Sequence, residues 1–282
     1  MNSDGVDSLN KGGSADNTAQ VVKDAVAGNV YAQTLLGVQY LEGQGVKVDL
    51  QKALHWFELA SNQDHPPALY HLAGMYLNGL GVSANLDQAL QCMTKSSELG
   101  LDYAQHALAN LYASGEGVNV DRDKAFFWFE KAAKQGFAQS QYNLAICYKD
   151  GFGVEVDIKK AAEWFEKAAQ SGDSDAQYSL GIRYANGHGV TKDLACAVEW
   201  FKKSSEQGNS HALYSLGLCY DNGKGVEQDR QKAVEHFERA ANMGHPNAQY
   251  SLAVSYYSGS GVIKNHDLAK FWFSKAKEQG VS

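Results

Sequence analysis

The chain has little proline and little cysteine: its 282 residues include 3 prolines and 4 cysteines, against 28 glycines. Irregular loops normally use both proline and glycine, so this imbalance indicates that glycine serves one recurring purpose. None of the cysteines forms a Cys-x-x-Cys pair; they are Cys92, Cys147, Cys196 and Cys219. This favours reduced thiols, and it leaves a disulfide framework or a zinc site as the lesser alternative.

Long apolar runs and clustered positive charge are missing as well. No stretch reaches the roughly 18 apolar residues of a membrane span, so we expect no membrane insertion. The first residues lack the basic start and apolar run of a secretory signal, which predicts a cytoplasmic location and leaves non-classical secretion open. With 25 Lys and Arg against 32 Asp and Glu, the net charge is -7, which disfavours nucleic acid as the partner.

What the chain does have is an internal repeat. The motif Gly-x-Gly-Val recurs every 36 residues without an insertion, and its first glycines are Gly43, Gly79, Gly115, Gly151, Gly187, Gly223 and Gly259. Columns that begin at Leu36, Tyr40 and Ala53 keep the same step. The predicted repeats are 29–64, 65–100, 101–136, 137–172, 173–208, 209–244 and 245–280. We expect residues 1–15 to be disordered, 16–28 to form a capping helix and 281–282 to be a short tail.

Each repeat reads as two helices joined by the glycine motif. Ala32, Leu36 and Tyr40 are spaced four apart on one stripe, and the segment after Asp49 places tryptophan and phenylalanine columns on one apolar face. Gly43 is predicted to end the first helix and Asp49 to cap the second. Stacked hairpins share a core, so the predicted fold class is all-α, an α-solenoid superhelix; its right-handedness rests on analogy with other helical-hairpin repeats.

The second helices also carry charges one turn apart on their exposed side. Glu163 with Lys167, and Glu199 with Lys203, are predicted to form ion pairs. The tryptophan column is expected in the core beside the phenylalanines.

The unit resembles the Sel1-like repeat, a relative of the tetratricopeptide repeat. In the fifth unit the family pattern stands at Ala176, Leu180, Gly181, Tyr184, Gly187, Gly189, Val190, Asp193, Ala197, Trp200 and Ser204. Departures are few, such as Cys92 and His236 in the tryptophan column. The resemblance implies a scaffold that brings proteins together, in bacterial signalling, secretion and host interaction or in eukaryotic complexes. Its cysteine-rich secreted branch, with a disulfide in each repeat, is not supported by this chain's unpaired cysteines.

Residue types that could indicate a cofactor, metal or catalytic site are better explained by the repeat. The Gly-x-Gly loops follow a helix and lack the third glycine of a dinucleotide site. The nine histidines share no column with metal-ligand spacing, so we assign no metal and no cofactor. Ser215 with His211 is the one conceivable nucleophile and base, but no acidic partner accompanies them, so no catalytic residue is assigned.

The side of the first helix that faces away from Leu36 and Tyr40 is expected, by analogy with tetratricopeptide repeats, to line a concave groove. Rings there supply contact area and amides pair with a peptide backbone. The predicted partner-binding residues are Tyr70, His106, Tyr142, Tyr178, Arg183, Tyr214, Tyr250, Asn110, Asn186 and Asn222. An alternative for the tyrosine column is that it only packs one repeat on the next.

These observations predict a non-catalytic scaffold or adaptor whose partner is a protein or a peptide. Two alternatives stay open: a hydrolase-like, β-lactam-binding activity, as linked to some cysteine-rich members of the family it resembles, and a secreted bacterial effector that binds host proteins. The last repeat has no helix after it, which leaves end-to-end self-association through that repeat as an option.

Overall fold

The computed structural model describes residues 15–281, which form fifteen α-helices and no strand. The helices are α1 Ala15–Val26, α2 Val30–Glu42, α3 Leu50–Ser61, α4 Pro66–Asn78, α5 Leu86–Glu98, α6 Asp102–Ser114, α7 Arg122–Lys134, α8 Ala138–Asp150, α9 Ile158–Gln170, α10 Ser174–Asn186, α11 Leu194–Glu206, α12 Ser210–Asn222, α13 Arg230–Asn242, α14 Pro246–Ser258 and α15 His266–Glu278. The segment predicted to be disordered, residues 1–15, lies outside the described residues except for Ala15, and so does Ser282 of the predicted tail.

The chain divides into two compact units between Gln135 and Gly136, the first holding α1 to α7 and the second α8 to α15. Within each unit, the first helix of a hairpin packs against the second helix of the same hairpin. That second helix then packs against the first helix of the next hairpin. In the first unit, α1 packs against α2 in the same way. The core of each unit therefore continues from hairpin to hairpin, as expected for stacked repeats.

The loop inside each hairpin is fixed by backbone hydrogen bonds. Gly43 adopts a left-handed φ of 77°, and its N–H donates to the Gln39 carbonyl at 2.8 Å. The Asp49 N–H donates to the Tyr40 carbonyl at 2.9 Å, and the Asp49 carboxylate accepts the Lys52 N–H at 3.0 Å. This last bond holds the pKa of Asp49 below its usual value. The predicted roles of Gly43 and Asp49 are thus confirmed.

The second glycine of the motif lies against the preceding hairpin. A Cβ on Gly189, whose φ is +80°, would lie 2.3 Å from the Ile158 carbonyl oxygen at the start of α9. Gly225 and Gly261 meet the preceding second helix in the same way, at 2.2 and 2.1 Å. Such distances exclude any side chain, so the loop and the helix before it are in backbone contact. This contact fixes how one hairpin lies on the next.

Phenylalanines, rather than tryptophans, fill the space between the two helices of a hairpin. Phe57, Phe165 and Phe201 are buried, whereas the tryptophans are half-buried. Trp164 and Trp200 instead lie under lysines, with Lys167 Nζ 3.9 Å and Lys203 Nζ 4.0 Å from the ring centroids.

The expectation of tryptophans in the core is therefore met only in part: Trp128 and Trp272 pack, partly buried, against core clusters, while those three phenylalanines are the buried residues. One residue along a helix turns the side chain by about 100°, so a tryptophan and the phenylalanine after it do not face the same way. The ion pair expected between Glu199 and Lys203 is wrong, since Glu199 pairs with Lys202 at 2.7 Å.

Buried glutamines join consecutive hairpins. Gln177 Nε2 donates to the Ala169 carbonyl at 3.2 Å, and Gln207 Nε2 donates to Gln177 Oε1 at 2.9 Å and to the Gly172 carbonyl at 3.0 Å. The same glutamine pairing occurs at Gln33–Gln63, Gln105–Gln135 and Gln249–Gln279. The sixth repeat has Leu213 and Met243 at these two positions, and the second repeat has Leu69 and Leu99. The equivalent interface in different repeats is thus built either from a polar pair or from an apolar pair.

We expect Gly189→Ala to lower the free energy of unfolding more than Gly172→Ala does. Both glycines have positive φ, so each change carries a backbone cost of about 1 kcal/mol. Only at Gly189 does the new methyl group meet backbone, since nothing lies within 4 Å of a Cβ on Gly172, and overpacking adds about 1–3 kcal/mol. Urea unfolding of the two variants measures the difference. Equal midpoints would show that the loop contact does not limit the stacking.

We also expect the glutamine pair to behave as a unit. Gln207→Met leaves the buried Gln177 Oε1 without this donor and should cost about 1–2 kcal/mol. The double variant Gln177→Leu, Gln207→Met copies the pair of the sixth repeat and should recover most of that loss. A double-mutant cycle from urea melts tests the coupling, and additive losses would contradict it.

Candidate functional site

In the second unit, the tyrosine column lies between neighbouring first helices. The ring of Tyr178 is 5.9 Å from that of Phe201 on its own hairpin and 5.7 Å from that of His211 on the next. Tyr214 repeats the arrangement, 5.9 Å from Phe237 and 4.8 Å from His245. All these tyrosines keep part of the ring exposed. The tyrosines therefore pack one repeat on the next and are also partly exposed. Both predicted roles of the column, packing between repeats and binding of a partner, are compatible with the structure.

Tyr142 and Tyr250 complete the column. Their rings lie 5.5 Å from Phe165 and 5.4 Å from Phe273. Burial raises the pKa of Tyr142, and a side-chain hydrogen bond with Ser179 acts in the opposite direction. Ser179 is on the next first helix, α10, so Tyr142 lies near that helix.

The first unit places its three predicted site residues differently from one another. Tyr70 packs edge-on against Tyr103, with ring centroids 4.7 Å apart, and burial raises the pKa of Tyr103 to about 12. His106 packs 5.8 Å from Phe129, and its Nε2 lies 3.0 Å from Asn110 Nδ2. Burial lowers the pKa of His106, so this ring is neutral near pH 7. Asn110 is exposed at the surface beside it.

Arg183 is buried between its own hairpin and the preceding one, which supplies Phe165. Its side chain is only 6% exposed, its guanidinium carbon is 4.4 Å from the Phe165 ring centroid, and Nη1 donates to the His188 carbonyl at 3.4 Å. Burial lowers its pKa. These contacts give Arg183 a packing role, and its binding of a partner stays a prediction.

Exposed aliphatic side chains stand beside the tyrosines, one turn further along each first helix. Leu218 on α12 and Val254 on α14 are 36% and 41% exposed, and Tyr250 precedes Val254 by four residues on the same side. Asn186 and Asn222 lie exposed at the helix ends, and Asn222 Nδ2 donates to the Leu218 carbonyl at 2.9 Å. We call this surface of the second unit, formed by Tyr178, Ile182, Tyr214, Leu218, Tyr250, Val254, Asn186 and Asn222, the first-helix face.

The first unit has a cavity on the corresponding helices α2, α4 and α6. Its volume is about 400 Å³. It is lined by Leu41, Tyr70, His71, Gly74, Met75, Leu77, Asn78, Leu80, Met93, Ala107, Asn110 and Leu111. We call it the repeat-2 cavity, because α4 and α5 of the second hairpin supply most of the lining. Tyr70 and Asn110 are the two predicted site residues that it brings together.

The candidate base, His211, contacts the rings of Tyr178 and His245. His211 Nδ1 is 3.1 Å from His245 Nε2, and His245 Nδ1 accepts the Ala248 N–H at 3.2 Å as the cap of α14. Neutral His245 therefore carries its proton on Nε2 and donates it to His211. The bond of His211 Nδ1 goes to His245, which gives no support to a hydrolase built on Ser215.

Three further properties bear on function. All four cysteines are free thiols, and burial raises the pKa of Cys147 to about 12. Across residues 15–281, no group of three or more His, Cys, Asp or Glu side chains could hold a metal ion. None of the fifteen helices in that range combines the length and the hydrophobicity needed to cross a bilayer.

We expect His245 to make stability depend on pH. Burial, and then the charge of His211, hold the pKa of His245 below its ordinary value. The stability that neutral His245 contributes is therefore fully present above the ordinary histidine pKa of about 6.5. This stability is lost as the pH falls from there through the lower pKa of the folded state. His245→Asn keeps a capping side chain, as Asn209 does for α12, but cannot titrate.

Thermal unfolding between pH 7.5 and 5 compares the two proteins. The variant should lose less stability on acidification than the wild type. Parallel pH profiles would contradict a role for His245.

The repeats match the family model of the Sel1 repeat at residues 30–65, 66–101, 102–137, 138–173, 174–209, 210–245 and 246–281. The protective antigen c5321 of uropathogenic Escherichia coli strains, which displays an SLR fold, is 32% identical over 94% of this chain, with a TM-score of 0.76. A Sel1 repeat protein from Oxalobacter formigenes is 33% identical over 97% of this chain, with a TM-score of 0.74.

This chain spans 64% of the length of the Escherichia coli structure and 80% of the other. No curated protein matches it. The predicted resemblance and the all-α fold class of seven repeats are confirmed by the family match and by these two structures. The chain belongs to the Sel1 repeat family.

Proposed function

We propose that this chain is a non-catalytic scaffold or adaptor that binds an extended peptide or a partner protein on its first-helix face. Sel1 repeats typically mediate protein–protein interaction. The observation that carries the proposal for this chain is the exposure of Leu218, Tyr250 and Val254 on α12 and α14, the first helices of consecutive hairpins. Exposed apolar side chains grouped on one surface mark interaction sites.

The surroundings of these side chains suit a peptide. The ring of Tyr214 is held by Phe237 of its own hairpin and by His245 of the next, so little side-chain entropy is lost when a partner binds. Asn222 uses its Nδ2 to bond the Leu218 carbonyl, and its Oδ1 can accept an N–H from an extended backbone. An apolar centre with amides at its edge is the composition that peptide-binding surfaces use.

The finer predictions on location and assembly rest on the sequence. A cytoplasmic location, a role as a secreted effector and self-association through the last repeat stay predictions. The Phe273 ring of that repeat is half-buried, whereas Phe165 and Phe201 at the same position are buried.

Selection of displayed peptides on the immobilised protein tests the proposed function. We expect selected peptides to bind the wild type and to bind Leu218→Asp and Val254→Asp about tenfold more weakly or worse, because a buried aliphatic contact is lost. Ile263→Asp is the matched control, since Ile263 is 89% exposed in a loop of the last repeat, off the first helices.

Fluorescence anisotropy gives the affinities, and circular dichroism shows that the variants are folded. If no peptide is selected, or if all three variants bind alike, the first-helix face is not the binding surface.

A further inference from the structure

The second repeat departs from the others at two positions that face the same cavity. Gly74 occupies a column that holds Val38, Asn110, Ile146, Ile182, Leu218 and Val254 in the other repeats. Met93 occupies the column of the core phenylalanines. Both residues line the repeat-2 cavity. The cavity thus arises where the repeat pattern is broken, and not from the fold that all seven copies share.

No requirement of the backbone explains Gly74. It lies inside α4, where glycine is destabilising relative to alanine. Nothing lies within 4 Å of a Cβ built on it, in contrast to Gly37, whose Cβ would be 2.6 Å from the Phe57 ring. The fold would therefore accept a side chain at position 74, and its absence serves to keep the cavity open.

The cavity is shaped for one large apolar side chain. Buried Met75 and Met93 form its floor, Tyr70 and the 41%-exposed Leu77 form its walls, and exposed Asn78 lies at its rim. Methionines adapt their shape to what they contact. Asn78 Nδ2 donates to the Gly74 carbonyl at 2.9 Å, so its Oδ1 can accept a bond from a bound backbone. A volume of about 400 Å³ is within the range of sites that hold small ligands.

The first helices around the cavity carry no positive side chain. The helices α2, α4 and α6 contain no lysine and no arginine, and Glu42 is the last residue of α2. Lys95 of α5, the helix that supplies Met93, is paired with Asp64. Glu42 is exposed and follows Leu41, which lines the cavity. Burial lowers the pKa of both histidines on these helices, His71 and His106, so neither adds positive charge near pH 7. A bound segment with lysine or arginine complements this surface.

We propose that the repeat-2 cavity is an anchor subsite for a basic peptide segment of a partner protein, which inserts one leucine-sized apolar side chain beside Gly74. The proposal rests on the proposed function, because it names the kind of peptide that the first helices bind. Lysine or arginine next to the anchor pairs with Glu42, and the peptide backbone bonds Asn78.

Methionine-methyl NMR of the full chain tests this subsite directly. The chain has four methionines: Met75 and Met93 form the floor, and the exposed Met243 of the second unit serves as an internal control. The probe is a six-residue peptide with one central leucine and three lysines; two further peptides replace leucine with alanine or lysine with glutamate.

The leucine–lysine peptide should shift the Met75 and Met93 signals and leave Met243 unchanged. The alanine peptide should bind about tenfold more weakly and the glutamate peptide about threefold more weakly.

Gly74→Ile fills the cavity with the residue that Ile146 and Ile182 provide elsewhere, and it should abolish the shifts while the protein stays folded. Gly74→Ala is the control, since one methyl group leaves most of the volume open. Glu42→Gln should weaken the lysine peptide about threefold and should not weaken the glutamate peptide. Because the three peptides are also compared on the wild type, the test stands even if Gly74→Ile unfolds the chain.

Two results would overturn the anchor subsite: unmoved Met75 and Met93 signals with every peptide, or shifts that survive in Gly74→Ile. Peptides selected on the immobilised protein separate this failure from that of the proposed function. If they still bind and depend on Leu218, only the subsite is wrong; if none binds, the proposed function is wrong as well.

Discussion

Backbone contact between a hairpin loop and the preceding second helix is the constraint on which the rest of each unit depends. At Gly189 and Gly225 the approach to Ile158 and Leu194 leaves no room for a side chain. A longer or bulkier loop would push the hairpins apart, which accounts for a step of 36 residues without insertion. Because the hairpins are held at one spacing, the ring of Tyr178 reaches that of His211 on the next first helix.

The glutamine pairs beside this contact show which positions of the repeat can vary in sequence. Gln177 with Gln207 and Leu213 with Met243 occupy equivalent positions, one pair hydrogen-bonded and the other apolar. A buried amide without its partner costs more than either complete pair, so the two positions must change together. The chain can therefore diversify between repeats, but only in matched pairs that preserve the stacking.

Most of the fold is predictable from the columns, since helix stripes, glycine turns and capping residues are local signals. Trp164 and Phe165 show the limit, because both lie on the apolar stripe and only the facing helix decides which one is buried. Arg183 could have been placed correctly, as its column holds Met75 and Cys147 in other repeats, which indicates a buried position. The sequence also contains a signal for the repeat-2 cavity, which is a glycine in a mostly aliphatic column. The volume of the cavity could not be predicted, because it depends on how three first helices surround it.

In a repeat protein, a side chain found in every copy is explained by stacking, whereas a column that varies between copies can also serve recognition. The tyrosine column contacts both its own hairpin and the next, so its first role is structural. Leu218 and Val254 lie in a column that varies, and both are exposed, whereas Val38 and Ile182 of the same column pack, partly buried, against core clusters. Gly74 belongs to the same column. We therefore propose that recognition of a partner changes at the exposed members of this column and at Gly74 more readily than at the tyrosines, which the stacking contacts hold in place.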